Sequence, residues 1–253
     1  MNSVLTIFGA GLLAGTMNAL AGGGSFVSLP ALIAVGVPSV QANASSTVGL
    51  FPGAAASAWA YRDGLGPIGA VSLRPLLLTT VIGGAGGAFL LLWTPSSTFD
   101  FLLPWLLLVA TVTLGFGRQL GEVLRRRWHI RPSAVLAVQL ALGIYGGYFG
   151  GAVGIMMVAV WSLMESRDLK SLNPPRTLMV TAANAMAVVI FIAAQAVRWR
   201  ETLIMLVGAT LGGYCGALVG RRAPAPVLRA GTLLIAGCIT FLFFVRAYFK
   251  EIL

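Results

Sequence analysis

Asn18-Ala19-Leu20-Ala21-Gly22-Gly23-Gly24-Ser25-Phe26-Val27-Ser28-Leu29-Pro30 sits inside an apolar run extending from about residue 3 to 36. A membrane-crossing helix needs roughly 20 apolar residues. The run is therefore too long for one ordinary span, and three consecutive glycines interrupt it. The same construction returns in a run at about 133–164, broken by Gly150-Gly151-Ala152-Val153-Gly154. Three further apolar runs follow each broken one, at about 45–61, 70–94 and 101–118, and at about 176–197, 201–220 and 228–248. The pattern predicts an all-α polytopic membrane protein of two repeats. Each repeat has about four apolar segments, the first of them broken by glycine.

Composition agrees. Hydrophobic residues make up 58% of the 253 positions and charged residues only 9%, against roughly 25% charged in a soluble domain. Such a chain cannot solvate its own surface, whereas lipid accepts apolar side chains outside. The net charge of +10 is not read as a nucleic-acid footprint. The basic residues fall in short loops between apolar runs, where they set membrane orientation. Cys215 and Cys238 lie within apolar segments with no partner pattern, so neither a disulfide framework nor a metal site is expected. Ala19-Leu20-Ala21 imitates a signal-peptidase site, but the first basic residue is Arg62. The segment is therefore read as part of the mature fold.

The two halves match each other in order. At an offset of 130, Asn43 and Thr47 fall on Asn173 and Thr177, and Gly24 on Gly154. At 129, Gly83-Gly84 falls on Gly212-Gly213, Gly87 on Gly216 and Pro95 on Pro224. The division expected is a first membrane repeat over 1–120, a basic linker over 121–132 and a second repeat over 133–253. If the two long runs fold back on themselves, thirteen basic residues share one side: Arg62, Arg74, Arg118, Arg125–Arg127, Arg131, Arg167, Lys170, Arg176, Arg221, Arg222 and Arg229. Arg198, Arg200, Arg246 and Lys250 remain on the other. This split follows the positive-inside rule better than eight simple crossings do. It makes the halves inverted repeats, the linker cytoplasmic, and each glycine break a hairpin tip near the bilayer middle.

The chemistry available to the spans is neutral. Asp63, Asp100, Glu122, Glu165, Asp168, Glu201 and Glu251 all lie in loops or at run ends, and the one histidine, His129, belongs to the basic linker. Neither an intramembrane carboxylate relay nor a Ser–His dyad can be built from these. Beside the breaks stand Asn18, Ser25, Ser28, Asn43, Ser45, Ser46 and Thr47, and in the second half Tyr145, Tyr148, Asn173, Arg176, Thr177, Thr181 and Asn184. A helix restarting after a glycine break offers free backbone N–H groups and the positive end of its dipole, which suits a small anion. The anion site expected comprises Gly22, Gly23, Gly24, Ser25, Asn43, Ser46, Gly150, Gly151, Gly154, Asn173, Arg176 and Thr177. Plainer roles stand beside it: Gly83–Gly87 and Gly212–Gly216 as helix-packing surfaces, Ser45–Thr47 as a helix cap, Arg176 as an interfacial anchor. Trp93, Trp105 and Trp199 read as interfacial belts.

Gly11-Leu12-Leu13-Ala14-Gly15, Ala21-Gly22-Gly23-Gly24-Ser25 and Pro30 resemble the opening repeat of the sulfite exporter TauE/SafE family. Gly143-Ile144-Tyr145-Gly146-Gly147-Tyr148-Phe149-Gly150 resembles its second glycine motif, with further likeness over 173–184 and Gly208–Tyr214. The resemblance implies a bacterial inner-membrane permease for sulfite, organosulfonates or related anions. It implies no cofactor and no catalytic or metal-binding residues. The partners expected are a small anionic substrate and membrane lipid, with no nucleic acid and with a homodimer compatible. An anion channel and a permease for a non-sulfur organic anion are the alternatives. The chain departs from the family pattern at Ala152-Val153-Gly154-Ile155 and at Pro174-Pro175-Arg176-Thr177. There arginine supplies a planar fork in place of a compact ammonium.

Overall fold

The computed structural model describes residues 2–127, 132–161, 171–220 and 225–248. Among these, the chain forms ten α-helices and no strand. The first half holds α1 (Asn2–Ala21), α2 (Ser25–Ala34), α3 (Ser39–Ala60), α4 (Leu73–Trp93) and α5 (Ser96–Arg127). The second holds α6 (Pro132–Tyr148), α7 (Val153–Trp161), α8 (Asn173–Ala193), α9 (Trp199–Gly220) and α10 (Ala225–Tyr248). Six of the helices are long and apolar enough to cross a membrane, so the protein is a multi-pass helical membrane protein.

Eight apolar runs become ten helices because both long runs break where glycine interrupts them. The piece after the first break, α2, has 10 residues and extends about 15 Å at about 1.5 Å per residue, half of a hydrocarbon core of about 30 Å. The piece after the second, α7, is described over Val153–Trp161. The helix α5 continues past its apolar stretch, Ser96–Gly117, as far as Arg127, so the first part of the basic linker is helical. The rest of the linker, 128–131, lies outside the described residues, as do Arg167, Lys170, Arg221 and Arg222, on which much of the charge asymmetry depends.

Polarity is distributed as a bilayer demands. Leu78, Ile82, Phe116, Leu234 and Phe241 are more than 60% exposed, while Ser28, Ser45, Thr80, Gln139 and Thr202 are completely buried. Trp93 and Trp199 are exposed at helix ends, in keeping with a belt, while Trp105, also exposed, lies more than two turns inside α5. Trp161 differs: it is fully buried, and its indole N–H donates to Gln139 Oε1 at 3.1 Å. Gln139 Nε2 donates in turn to Thr80 Oγ1 at 2.7 Å, so a polar chain ties α7 to α6 and α4.

Glycine sets the closest helix crossings. Gly11 and Gly15 of α1 face Met205 and Ala209 of α9, while Gly208 and Gly212 face Phe8 and Leu12. A Cβ at Gly11 would stand 2.5 Å from Met205 O. In the same way Gly83 and Gly87 of α4 face Leu140 and Ile144 of α6, and Gly147 returns the contact at Gly84. The packing role weighed for these glycines is the one the structure displays.

These crossings also fix directions. Contacts rise together in number along α1 and α9 and along α4 and α6, so each pair is parallel. Thr80 meets Met179 and Gly84 meets Ala183, so α4 and α8 are parallel. Ser45 meets Arg198 and Gly49 meets Thr202, so α3 runs with α9. Thr181 meets Ala54 and Pro174 meets Gly64, so α3 and α8 are antiparallel. Hence α1, α3 and α9 point one way and α4, α6 and α8 the other. One end of the bundle carries Arg62 and Asn173; the opposite end carries Ser39, Ser96 and Arg198.

Candidate functional site

Two helix breaks face each other across a cavity. Gly22 follows α1 with φ 78°, and its N–H bonds back to Met17 O at 3.2 Å and Asn18 O at 3.1 Å. Gly150 follows α6 with φ 77°, and its N–H reaches back the same five residues, to Tyr145 O at 3.4 Å. A left-handed residue closing a helix in this way is glycine's ordinary C-terminal role. The chain then reverses, and a new helix starts at Ser25 and at Val153. Among the described residues, the backbone N–H groups of Ser25, Val153 and Gly154 donate to no other backbone group, which leaves two positive helix ends near the same space.

That space is a cavity of about 100 Å³ between α3, α8 and the two hairpins, room for a few waters or one small polyatomic anion. On α8, Thr177, Val180, Thr181 and Asn184 line it at helical spacing, and on α3 it follows Thr47, Leu50, Ala54 and Ser57. Exposure grows along α3: Thr47 is buried and Ser57 is exposed, so the cavity widens toward the end that carries Arg62.

Among the described residues, Arg176 is the one ionisable group in the cavity wall. Its aliphatic stem lies against Gly154, where a Cβ would come 3.3 Å from Arg176 Cγ and 3.0 Å from Val180 Cγ2. Among the described residues no carboxylate pairs with it, and the one ion pair formed is Arg62 with Asp63. A univalent anion 4 Å from such a cation gains ~4 kcal/mol at an effective dielectric constant of about 20.

Of the twelve residues expected at the site, Gly22, Ser25, Gly150, Gly154, Arg176 and Thr177 line this cavity. The other six stand elsewhere. A Cβ on Gly24 would meet Ala14 O at 2.7 Å, and one on Gly23 would meet Phe26, so both are held by packing within the first hairpin. Gly151 lies under the Phe149 ring, 2.5 Å from where a Cβ would sit. Asn43 is buried and donates from Nδ2 to Tyr148 O at 2.8 Å. Ser46 is buried against Ser28, with Oγ atoms 2.6 Å apart. Asn173 receives the Thr177 hydroxyl on its carbonyl at 3.1 Å and is not in the wall. Because α3 begins at Ser39, Ser45–Thr47 are helix interior and not a cap.

Asn18, Thr47, Ser57, Thr181 and Asn184 complete the polar wall although they were not among the twelve. The signal for the pair on α8 is its spacing from Thr177 by one and two turns. Asn184 Oδ1 is buried without a hydrogen-bond partner, the one such side-chain atom among the described residues.

Comparison with known proteins accords with this architecture. The family model for the sulfite exporter TauE/SafE matches residues 7–243. A "Probable membrane transporter protein" of Haemophilus influenzae is 26% identical over 238 residues, covering 92% of this chain and 91% of its own. "Probable membrane transporter protein YfcA" of Escherichia coli K12 is 25% identical over 248 residues, covering 98% and 91%. "Probable membrane transporter protein ORF9" of a Sinorhizobium species is 24% identical over 233 residues, covering 91% and 88%. No solved structure matches the chain. With nearly its whole length matched, the chain belongs to the sulfite exporter TauE/SafE family of membrane transporters.

Proposed function

We propose that this protein is a secondary transporter for a small sulfur-containing anion, sulfite or an organosulfonate, working by alternating access in a bacterial inner membrane. The observation that carries the reading is Arg176, which pairs with no carboxylate among the described residues, in a cavity flanked by two helix N-termini. A sulfite or sulfonate head presents three oxygens around one sulfur. The planar guanidinium fork takes two of them, and N–H groups at Ser25, Val153 and Gly154, with the Thr177 hydroxyl, stand around the rest of the space. Among the described residues Arg176 is the one charged side chain in the wall, so a single net negative charge is the complement it fits.

Opposed directions of α1 and α6, of α3 and α8, and of α4 and α9 support reading the halves as inverted repeats, over 1–120 and 133–253. That arrangement recurs in secondary transporters with broken helices and a central site. The linker 121–132 is assigned to the cytoplasm on its charge.

Reconstitution into liposomes tests the function. Liposomes loaded with unlabelled sulfite should take up radiolabelled sulfite by counterflow, with saturation, and Arg176→Ala should abolish the uptake at matched protein content. Arg176→Lys should retain part of it, since the charge remains while the fork is lost. Uptake that persists undiminished in Arg176→Ala, or that rises linearly without saturation, contradicts the proposal.

A further inference from the structure

We infer that Asn43 and Asn173 are alternating latches, one for each end of the cavity, of which only Asn43 is engaged in this structure. The inference rests on the transport reading, because a carrier must seal each end of its site in turn. It does not depend on which anion is carried.

Two features make the asparagines equivalent. Thr47 Oγ1 donates to Asn43 O at 2.9 Å, and Thr177 Oγ1 donates to Asn173 O at 3.1 Å, the same bond one turn back. Both threonines line the cavity. The hairpins supply the second equivalence: Gly22 and Gly150 share their left-handed φ and their N–H bond five residues back. Two residues before each glycine stand Leu20 and Tyr148, whose carbonyls are therefore counterparts. Since α3 and α8 are antiparallel, Asn43 lies toward the Arg198 end of the bundle and Asn173 toward the Arg62 end.

At one place this correspondence fails. Asn43 Nδ2 donates to Tyr148 O at 2.8 Å and fastens the second hairpin to α3. Around it Ser28 meets Ser46 at 2.6 Å, and Ser45 Oγ accepts the Arg198 N–H at 2.9 Å, so the Arg198 end is closed by a buried polar layer. At the opposite end the Asn173 side chain makes no hydrogen bond among the described residues, and Leu20 O accepts none. There the cavity widens to exposed Ser57. A donor and an acceptor that are bonded in one half stand unbonded in the other. A discrete element with two arrangements is what a two-state switch requires. When the first hairpin swings toward α8, Asn173 takes the Leu20 carbonyl and closes the Arg62 end, while Asn43 releases Tyr148 and the Arg198 end opens.

The test uses full-length protein with Cys215 and Cys238 replaced by serine and a reporter thiol from Ser57→Cys at the wide end. Asn43→Leu, which keeps size and loses the donor, should lower the maleimide labelling rate of that thiol about fivefold, the population shift expected for one buried hydrogen bond. Asn173→Ala should leave the rate equal or higher. Unchanged labelling in Asn43→Leu, or a fall in Asn173→Ala, overturns the latch. Should Asn43→Leu fail to fold, a short bifunctional thiol reagent applied to paired Leu20→Cys and Asn173→Cys decides. A cross-link is expected, and its absence overturns the proposal. Neither measurement contains an anion. A failed sulfite counterflow with positive labelling would therefore fault the substrate reading and leave the latch standing.

Discussion

Replacing Gly212 by alanine, with the same change at Gly213 as its companion, isolates the packing on which the architecture rests. A Cβ at position 212 would stand in the Leu12 carbonyl group and 2.8 Å from Leu12 Cα, which is 0.6 Å short of the 3.4 Å where ordinary contact begins. The obstacle is helix backbone, which cannot rotate away as a side chain can, so α1 and α9 must separate along the crossing. At Gly213 a Cβ would meet nothing nearer than Gly15 O at 3.9 Å. Both substitutions gain the same helix propensity, about 1 kcal/mol in water, so that contribution cancels between them. Overpacking of this kind costs about 1–3 kcal/mol. Gly212→Ala should therefore be less stable than Gly213→Ala by that amount, seen as a lower midpoint in thermal unfolding of detergent-purified protein. In the other crossing the pair repeats: Gly87 is pressed against Ile144 and Tyr148 of α6, while at Gly86 a Cβ meets only Ile144 Cγ1 at 3.9 Å. Equal midpoints within both pairs would refute the idea that these glycines set the crossings.

Two further outcomes follow from buried polar groups. Asn184→Ala removes a buried oxygen that has no partner, a group whose burial costs about 1–3 kcal/mol. The ligand-free protein should melt higher while any stabilisation by added anion shrinks, and a lower midpoint with anion stabilisation intact would show that Asn184 serves only the fold. Gln139→Ala strips the partner from the buried Trp161 N–H and leaves Thr80 Oγ1 without its donor. Thermal stability should fall, by about 1–3 kcal/mol for the orphaned indole, whereas Gln139→Glu, which still accepts from Trp161, should fall by less if it enters the membrane protonated; equal losses would contradict the bond from Trp161.

The sequence disclosed the class and the breaks because their physics is local. Apolar runs of about bilayer length and glycines that interrupt them need no tertiary information. The directions of the helices and the parallel crossings of α1 with α9 and α4 with α6 depend on long-range packing, yet the Gly83–Gly87 and Gly212–Gly216 patterns already marked the contact faces. The site was legible in part. Arg176 and Thr177 stood out as polar residues at the start of a span, and Gly22 and Gly150 as breaks. Asn43 and Ser46 were equally polar and equally close to a break, but their hydrogen bonds are spent on Tyr148 O and Ser28. Nothing in the sequence tells a polar side chain that seals a helix contact from one that faces a cavity. Thr181 and Asn184 stood among the polar residues of the second half, one and two turns from Thr177, but only the phase of α8 relative to α3 put them in the wall.

The measurement that tests the central claim most directly is the thermal unfolding of purified protein with sulfite, sulfate, thiosulfate, taurine, sulfoacetate and matched carboxylates. A ligand bound only by the folded protein raises the midpoint by mass action, worth about 2.7 kcal/mol at a hundredfold excess over its dissociation constant. The account predicts that a sulfur oxyanion or sulfonate raises the midpoint selectively and that Arg176→Ala loses the response. No shift with any of these anions at concentrations well above millimolar, or an equal shift in Arg176→Ala, would contradict an anion site built on Arg176.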